Sequence, residues 1–163
     1  MAMLNRITFS GLCILLSFCS KAQNAKEDSV PVRNSKQIVY VIKADIFRRI
    51  KQDSAKDFNL LIGNVELKQN NTTFYCDSAI QDNELNQFEA FGNIHINDAD
   101  SVQIYSQYLK YLGDTRIANL KTKVKMTDGK GVLTTDNLEY DLNAKLGTYL
   151  QGGKVVNGKS VLT

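Results

Sequence analysis

The sequence predicts an all-β fold in which one long antiparallel sheet folds over on itself as an elongated, twisted jelly roll or sandwich. Three observations support this prediction. A unit of two strands recurs along the chain, apolar and polar residues alternate within each strand, and turn residues stand at the strand ends. The composition agrees, because the 163 residues include seven Tyr and seven Phe but one Pro, and aromatic residues favour strands.

The repeated unit is clearest at residues 88–111, where a strand, a polar turn and a second strand follow one another. The first strands of successive units align at positions 63, 92, 122 and 153, which are spaced by 29, 30 and 31 residues. The second strands align, with spacings of 30, 29 and 29, at Phe74, Ile104, Leu133 and Leu162. A fixed period of this length is typical of repeat architectures, in which stacked units bury a shared core.

The two strands of each unit differ in the spacing of their apolar residues. In the first strand these residues lie at i and i+2, as Val65 and Leu67 do, which predicts a strand with one wet face. In the second strand a step of three interrupts the alternation, for example from Ser106 to Leu109. This step predicts a bulge or corner at one position in each unit, and such a kink curves the sheet.

The apolar positions of these strands form a ladder on one face of the predicted sheet. By pattern alone, the ladder is explained best as the core of a β-sandwich, and the alternative is a groove that accepts acyl chains. Leu61 and Ala90 belong to this ladder. The candidate lipid-binding positions within it are Val65, Leu67, Phe74, Phe88, Ile94, Ile96, Ile104, Leu109, Tyr111, Val124, Met126, Leu133, Leu138 and Tyr140.

The N-terminus differs from the repeats and predicts export. Residues 1–22 are interpreted as a secretory signal peptide, because Arg6 precedes an apolar stretch, residues 7–18, that is too short to cross a bilayer. A lipoprotein signal with Cys19 as the lipidated residue is the disfavoured alternative. The residue before it, Phe18, stands where that peptidase requires a small side chain.

A polar leader precedes the predicted β domain. Residues 23–37 lack periodicity and predict a flexible segment, and residues 38–163 form the domain. Its first strand is predicted at residues 38–42, which are apolar and largely β-branched. Residues 43–57 fit a short amphipathic helix as well as a strand, and the strand is preferred because residues 44–46 resemble the second strand of the repeat.

The charge distribution argues against nucleic-acid binding, and the cysteine content argues against an internal disulfide. Removal of the signal takes away Arg6 and Lys21 and leaves 18 basic and 17 acidic residues. No polybasic stripe interleaved with aromatic residues is present, which argues against nucleic-acid binding. Cys13 and Cys19 leave with the signal, so Cys76 has no partner for an internal disulfide, and its place on the apolar face predicts a small buried hydrophobe.

The sequence predicts no catalytic site, no metal site and no cofactor, and hence no enzymatic activity. Asp77 and Asp136 share one repeat position, which Gln107 occupies between them. They are predicted to satisfy backbone groups at the bulge rather than to bind a cation. His95 has neither a nucleophile nor a metal partner in the pattern and is predicted to lie on the wet face. Solvated turn acids are predicted at Asp82, Glu84, Asp98 and Asp100.

Five short motifs, in this order and spacing, are shared with a known family. They are residues 61–65 (Leu-Ile-Gly-Asn-Val), 76–79 (Cys-Asp-Ser-Ala), 86–94 (Asn-Gln-Phe-Glu-Ala-Phe-Gly-Asn-Ile), 133–141 (Leu-Thr-Thr-Asp-Asn-Leu-Glu-Tyr-Asp) and 149–153 (Tyr-Leu-Gln-Gly-Gly). With these motifs the chain resembles, over residues 39–163, the OstA-like family of exported proteins. That family is related to the periplasmic bridge and to the N-terminal domain of the outer-membrane translocon in lipopolysaccharide transport. The second and third motifs are most similar to the branch from Bacteroidetes-type bacteria.

The resemblance implies an open jelly roll of V-shaped cross-section, whose inner apolar face shields the acyl chains of lipopolysaccharide. It implies a non-enzymatic periplasmic protein that assists lipopolysaccharide transport and assembly at the outer membrane, with outer-membrane association as a further expectation. The implied partners are other jelly-roll units of the transport bridge, stacked by strand edges, and the outer-membrane translocon. The ladder positions then become lipid contacts.

A second class of function stays open, namely a structural or adhesive exported β-solenoid whose ladder is a dry core. The sequence stops at Leu162 and Thr163, at the start of a fourth second strand. Because a domain rarely ends in mid-strand, this stop favours an N-terminal portion of a longer repeat protein. The alternative is that another molecule pairs with the open edge.

Overall fold

The structure, a computed structural model, describes residues 37–51, 57–149 and 152–162. The all-β prediction is confirmed. The predicted signal peptide, with Cys13 and Cys19, and the predicted leader apart from Gln37 lie outside the described residues. The strands are β1 (Tyr40–Lys43), β2 (Ile46–Lys51), β3 (Asp57–Gln69), β4 (Thr72–Asp82), β5 (Gln87–Asp98), β6 (Val102–Leu112), β7 (Ile117–Thr127), β8 (Gly131–Asp141), β9 (Leu146–Thr148), β10 (Gly153–Asn157) and β11 (Ser160–Leu162).

The strands form one antiparallel sheet in which neighbours in sequence are mostly neighbours in space. The order is β1-β3-β4-β5-β6-β7-β8-β10-β11, while β2 also pairs with β3 and β9 with β8. β1 and β2 follow one another along the same partner, so together they occupy the place of one kinked strand. Turn residues with positive φ close the hairpins, among them Asn70 at 55° and Gly129 at 83°.

The segment after β1 is a strand over Ile46–Lys51, as preferred from the sequence. The helical alternative is wrong for these residues, because β2 pairs with β3 from Ile46 opposite Ile62 to Lys51 opposite Asp57. The apolar side chains that suggested a helix face are exposed rather than packed. These side chains are Ile46, Phe47 and Ile50.

Alternation along each long strand separates a buried face from a wet face, as predicted. In β5, for example, Ile94 and Ile96 are buried whereas Asn93 is exposed. The buried faces together form one hydrophobic cluster. Within it the rings of Phe74 and Tyr111 lie 4.6 Å apart between centroids, although their strands, β4 and β6, are not paired with each other. Contact between unpaired strands shows that the sheet curls over its own apolar face.

A row of β-bulges bends the sheet at the positions where the step of three between apolar residues predicts a bulge. The extra residue of each bulge belongs to the first strand of the unit, since two residues there face one residue of the second strand. Both residues of each pair take positive φ, between 43° and 78°. The pairs are Gly63 and Asn64 in β3, Gly92 and Asn93 in β5, and Thr122 and Lys123 in β7. Because these bulges lie side by side in the sheet, the bend runs along the roll as a continuous line.

Candidate functional site

The apolar interior of the roll is the candidate functional site. The fourteen positions predicted as lipid contacts all lie on its inner face: twelve are at most 3% exposed. The other two, Met126 and Leu133, are half-buried and pack against the same cluster. The structure therefore brings all the candidate residues together on one continuous surface, and their contact with lipid stays a prediction.

The interior meets solvent at the end formed by β7, β8 and β10. A cavity of about 420 Å³ lies there, and Met126 and Leu133 line it. Its other apolar walls come from Val102, Val132 and Val155, which the sequence-based candidates do not include. The alternation that predicts Ile104 also indicates Val102, because the two residues stand at i and i+2 of β6. Below, this cavity is called the mouth.

A line of hydrogen bonds joins the two long sides of the roll where the ends of its hairpins meet. We call this line the seam. Three of its hydrogen bonds join residues 42 positions apart in sequence. They run from Gln81 Nε2 to Val39 O (2.9 Å), from Tyr111 OH to Gln69 Oε1, and from Tyr140 OH to Asp98 Oδ2 (3.0 Å).

A second set of seam contacts joins residues 44 positions apart. Its members run from Gln69 Nε2 to Gly113 O (3.0 Å), from Arg116 Nη2 to Thr72 Oγ1 (3.1 Å), and from Lys145 Nζ to Ser101 Oγ (3.2 Å). Both sets place polar groups over the apolar interior and close it from the side.

Asp98 is not the solvated turn acid that the sequence predicts, and this prediction is wrong. It is 3% exposed and accepts hydrogen bonds from Thr72 Oγ1 at 2.8 Å and from Tyr140 OH at 3.0 Å. The reason is that Asp98 occupies the inward position of its unit, where Gln69 stands one unit earlier. Burial, together with the Asp98 carboxylate, raises the pKa of Tyr140, and burial raises the pKa of Tyr111 to about 12.

The aspartates at the bulges contact the bulges themselves. Asp77 accepts a hydrogen bond from Asn93 Nδ2 at 2.9 Å, and Asp136 accepts one from the Lys123 backbone N–H at 3.4 Å. The contact of Asp136 with a backbone group is the one that the sequence predicts, whereas Asp77 contacts a side-chain amide of the bulge. Among the described residues, no group of three or more His, Cys, Asp or Glu side chains is placed to hold a metal ion.

His95 lies on the outer face, as predicted, within a stack of rings. Its imidazole is 5.5 Å from the Tyr75 ring and 4.6 Å from the Tyr105 ring, between centroids, and all three lie on neighbouring strands. Such cross-strand ring pairs stabilise a sheet. Over the residues that the structure describes, no helix is long and apolar enough to span a membrane.

Cys76 is a buried thiol on the inner face, as predicted. Its burial can be tested through the pH dependence of the free energy of unfolding. Burial raises the pKa of its thiol from 9.0 to about 12. The folded state thus holds this proton more tightly than the unfolded state does. The stabilisation is present below about pH 9 and is lost as the pH rises toward 12.

We expect the free energy of unfolding, measured by urea titration, to fall across this alkaline range. The fall should be less steep for Cys76→Ala than for the unchanged chain, and the remaining slope should come partly from Tyr111. Each variant is compared with its own value at neutral pH, which removes the packing cost of the substitution. Parallel pH profiles for the two chains would contradict the burial of the thiol.

Comparisons with known proteins complete the description of the site. A protein-family model described as OstA-like protein matches residues 36–163. A comparison with curated proteins found no match. Among solved structures, the chain is similar to LptH of Pseudomonas aeruginosa, described as the LptA homologous periplasmic component of the conserved lipopolysaccharide transport device. The two chains are 15% identical, with a TM-score of 0.57, and the match covers 71% of this chain and 83% of that chain. This likeness confirms the predicted fold class.

Proposed function

The chain belongs to the OstA-like protein family, and we propose that it is a non-enzymatic, periplasmic lipid-binding protein that assists lipopolysaccharide transport and assembly at the outer membrane. The observation that carries this proposal is the inner face, a continuous apolar surface that runs along the whole roll and reaches solvent at the mouth. The description of LptH as part of a lipopolysaccharide transport device supports the choice of ligand.

The interior has the chemistry and the length that an acyl chain requires. Apolar side chains favour contact with hydrocarbon over contact with water. From β3 to β10 there are six strand spacings of about 4.8 Å, which make about 29 Å along the roll. One acyl chain spans roughly half of the 30 Å hydrocarbon core of a bilayer. The inner face is therefore long enough to cover such a chain from end to end.

The strand edges are the proposed sites for partners. At the N-terminal end of the sheet, Tyr40, Ile42 and Phe47 are exposed on β1 and β2. Exposed edge strands pair readily with strands of another molecule. We propose that other jelly-roll units of a transport bridge stack on these edges, with the outer-membrane translocon as a further partner.

A photo-crosslinking experiment tests the ligand and the face together. A photoreactive amino acid at Ile94, Ile104 or Val124 should capture lipopolysaccharide, because these side chains point into the roll. The same amino acid at His95 or Lys123, next to them on the outer face, should capture none. Adducts are read by gel shift and mass spectrometry, and equal capture on the two faces would contradict the proposal.

A second pair of positions keeps this test valid if the bulky amino acid disrupts the closed interior. Met126 and Leu133 are half-buried at the mouth, so they accept a larger side chain with less repacking than a fully buried position. Capture there, with a folded circular dichroism spectrum, supports lipid binding.

The second candidate function is a structural or adhesive exported solenoid with a dry core. The near-complete burial of the inner face favours it, since Leu67, Ile96 and Ile104 have no exposed surface. It predicts that no inward position, including the two at the mouth, captures lipopolysaccharide from a folded protein. The crosslinking experiment therefore separates the two functions.

A further inference from the structure

The outer face of the roll differs on the two sides of the bulge row. We call the first arm the part that precedes the bulge in β3, β5 and β7, with the segments of β2, β4 and β6 that pair with it. The remainder of these strands is the second arm. One outward row of the second arm crosses β3–β7 through Glu66, Tyr75, His95, Tyr105 and Lys125. This row contains no aliphatic side chain.

The first arm carries apolar side chains at its outward positions. One row crosses β2–β7, each residue paired with the next, through Ile46, Ile62, Ser78, Phe91, Tyr108 and Lys121. In the next row, Leu60 is half-buried and pairs with Ile80, which is 44% exposed. Single exposed apolar residues are ordinary on a protein surface, whereas a contiguous group marks a binding surface. We call these two rows the outer patch.

Unpaired cations stand at both ends of the outer patch. Arg48 is exposed on β2, and Lys121 lies on β7 with its Nζ 5.8 Å from the centroid of the Tyr108 ring. Within the part of the chain that the structure describes, neither forms an ion pair. The acid of the patch, Glu89, is 3.4 Å from Lys110 Nζ, so its charge is compensated. The charge that remains unpaired is therefore positive.

This arrangement fits an anionic lipid surface better than a protein. Surfaces that lie in a membrane interface combine apolar side chains with Lys and Arg, which attract anionic headgroups. Arg48 and Lys121 are separated by five strand spacings, about 24 Å. A protein partner would need acidic groups fixed at both places, whereas a fluid lipid surface supplies them anywhere. Because the bulge row bends the sheet, a planar surface can contact the first arm without contacting the second.

We propose that the outer patch docks the roll on the surface of a lipid bilayer that carries anionic headgroups. Phe91 and the isoleucines lie among the headgroups, and Arg48 and Lys121 bind their phosphate groups. This docking goes beyond the proposed function, because it involves the outer face alone and requires no lipopolysaccharide.

A single tryptophan reports which arm meets the lipid. The chain contains no tryptophan of its own. Phe91→Trp places one in the outer patch, and Tyr75→Trp places one on the second arm, at positions 38% and 39% exposed. Each protein, purified from a periplasmic extract, is mixed with vesicles of phosphatidylcholine and phosphatidylglycerol in equal parts. We expect a blue shift of the fluorescence, and quenching by brominated lipids, for Phe91→Trp alone. Equal responses from the two tryptophans would overturn the proposal.

Matched lysine substitutions test the electrostatic part of the docking. Lys121→Gln and Lys125→Gln remove the same charge from exposed positions of β7, one on each arm. Loss of one cation near an anionic surface weakens binding about fivefold, and we expect this loss for Lys121→Gln in co-sedimentation with the same vesicles. Lys125→Gln should have a smaller effect, because the bend holds it away from the surface. Equal losses would show attraction to net charge alone and would overturn the proposal.

Phe91→Ser tests the apolar part. It should weaken binding to the vesicles about tenfold, and its urea midpoint shows whether the variant is folded. Ile80→Ser, at a more exposed position of the patch, replaces it if Phe91→Ser does not fold. Undiminished binding by a folded serine variant would overturn the proposal.

Neutral vesicles and salt complete the test. Binding by the unchanged chain should be weaker to phosphatidylcholine alone, and it should fall as the salt concentration rises, because salt screens exposed charges. Absence of binding to the anionic vesicles would overturn the proposal and would leave a protein as the occupant of the patch. Vesicle binding together with no lipopolysaccharide capture at the inward positions would support the docking and overturn the proposed function alone.

Discussion

Replacement of Ile104 by Glu is expected to unfold the roll. Ile104 has no exposed surface and pairs across the sheet with Ile96 on one side and Met126 on the other. A carboxylate there would have no hydrogen-bond partner, and its burial costs several kcal/mol, a large part of the roughly 5–15 kcal/mol that stabilises a domain. Circular dichroism and urea titration of the purified variant measure the loss.

Gln107→Glu is the matched control for this substitution. It adds the same charge to the same strand, but at an exposed position where two other units carry Asp77 and Asp136. We expect its unfolding midpoint to stay close to that of the unchanged chain. If Ile104→Glu instead stayed folded and lost only lipid binding, this wall of the roll would face an open groove rather than a closed interior.

Gly92→Ala is expected to be the most damaging change of a single methyl group at the bulge row. Gly92 has a φ of 72°, and a Cβ there would clash with the carboxylate of Asp77. The left-handed backbone costs about 1–2 kcal/mol for a residue with a side chain, and forced repacking adds about 1–3 kcal/mol. We expect a loss of about 2–5 kcal/mol in the free energy of unfolding.

Gly129→Ala separates the two causes. Gly129 has a φ of 83° in an exposed turn, and no atom lies within 4 Å of the Cβ position. It should lose the backbone contribution alone. Asp77→Ala, added to Gly92→Ala, should restore part of the stability, because it removes the clashing carboxylate. If Gly92→Ala cost no more than Gly129→Ala, the close approach of Asp77 to the bulge would be refuted.

The repeat and the inner face could be predicted from the sequence because they depend on local order. Alternation of apolar residues fixes which side chains share a face of a strand. The step from Ser106 to Leu109 marked the bend, since a strand cannot bury both residues without an irregularity. The inner-face residues could be predicted without knowing how the sheet closes. Assignment to the Bacteroidetes-type branch of the family stays a prediction.

The closure of the roll could not be predicted in the same way. Asp98 and Gln69 are ordinary turn-flanking residues in sequence, and their burial depends on tyrosines 42 positions further along. Thr122 and Lys123 form the third bulge without a glycine, so residue type gave no signal for their left-handed backbone. The exposure of Ile46 and Phe47 follows from the position of β2 at the sheet edge, which periodicity does not reveal.

The sequence separation that the seam hydrogen bonds span restricts how such a chain can become longer or shorter. Each of the three seam hydrogen bonds of the first set joins residues 42 positions apart, whereas one unit spans 29 to 31 residues. No unit can therefore complete such a bond from its own residues. Insertion of a whole unit at a hairpin would add a new seam hydrogen bond and leave the other donors and acceptors in phase. Insertion of a few residues within a strand would misalign the seam hydrogen bonds that span it, because there the donor follows the insertion while the acceptor precedes it. Selection should therefore change the length of these chains in whole units.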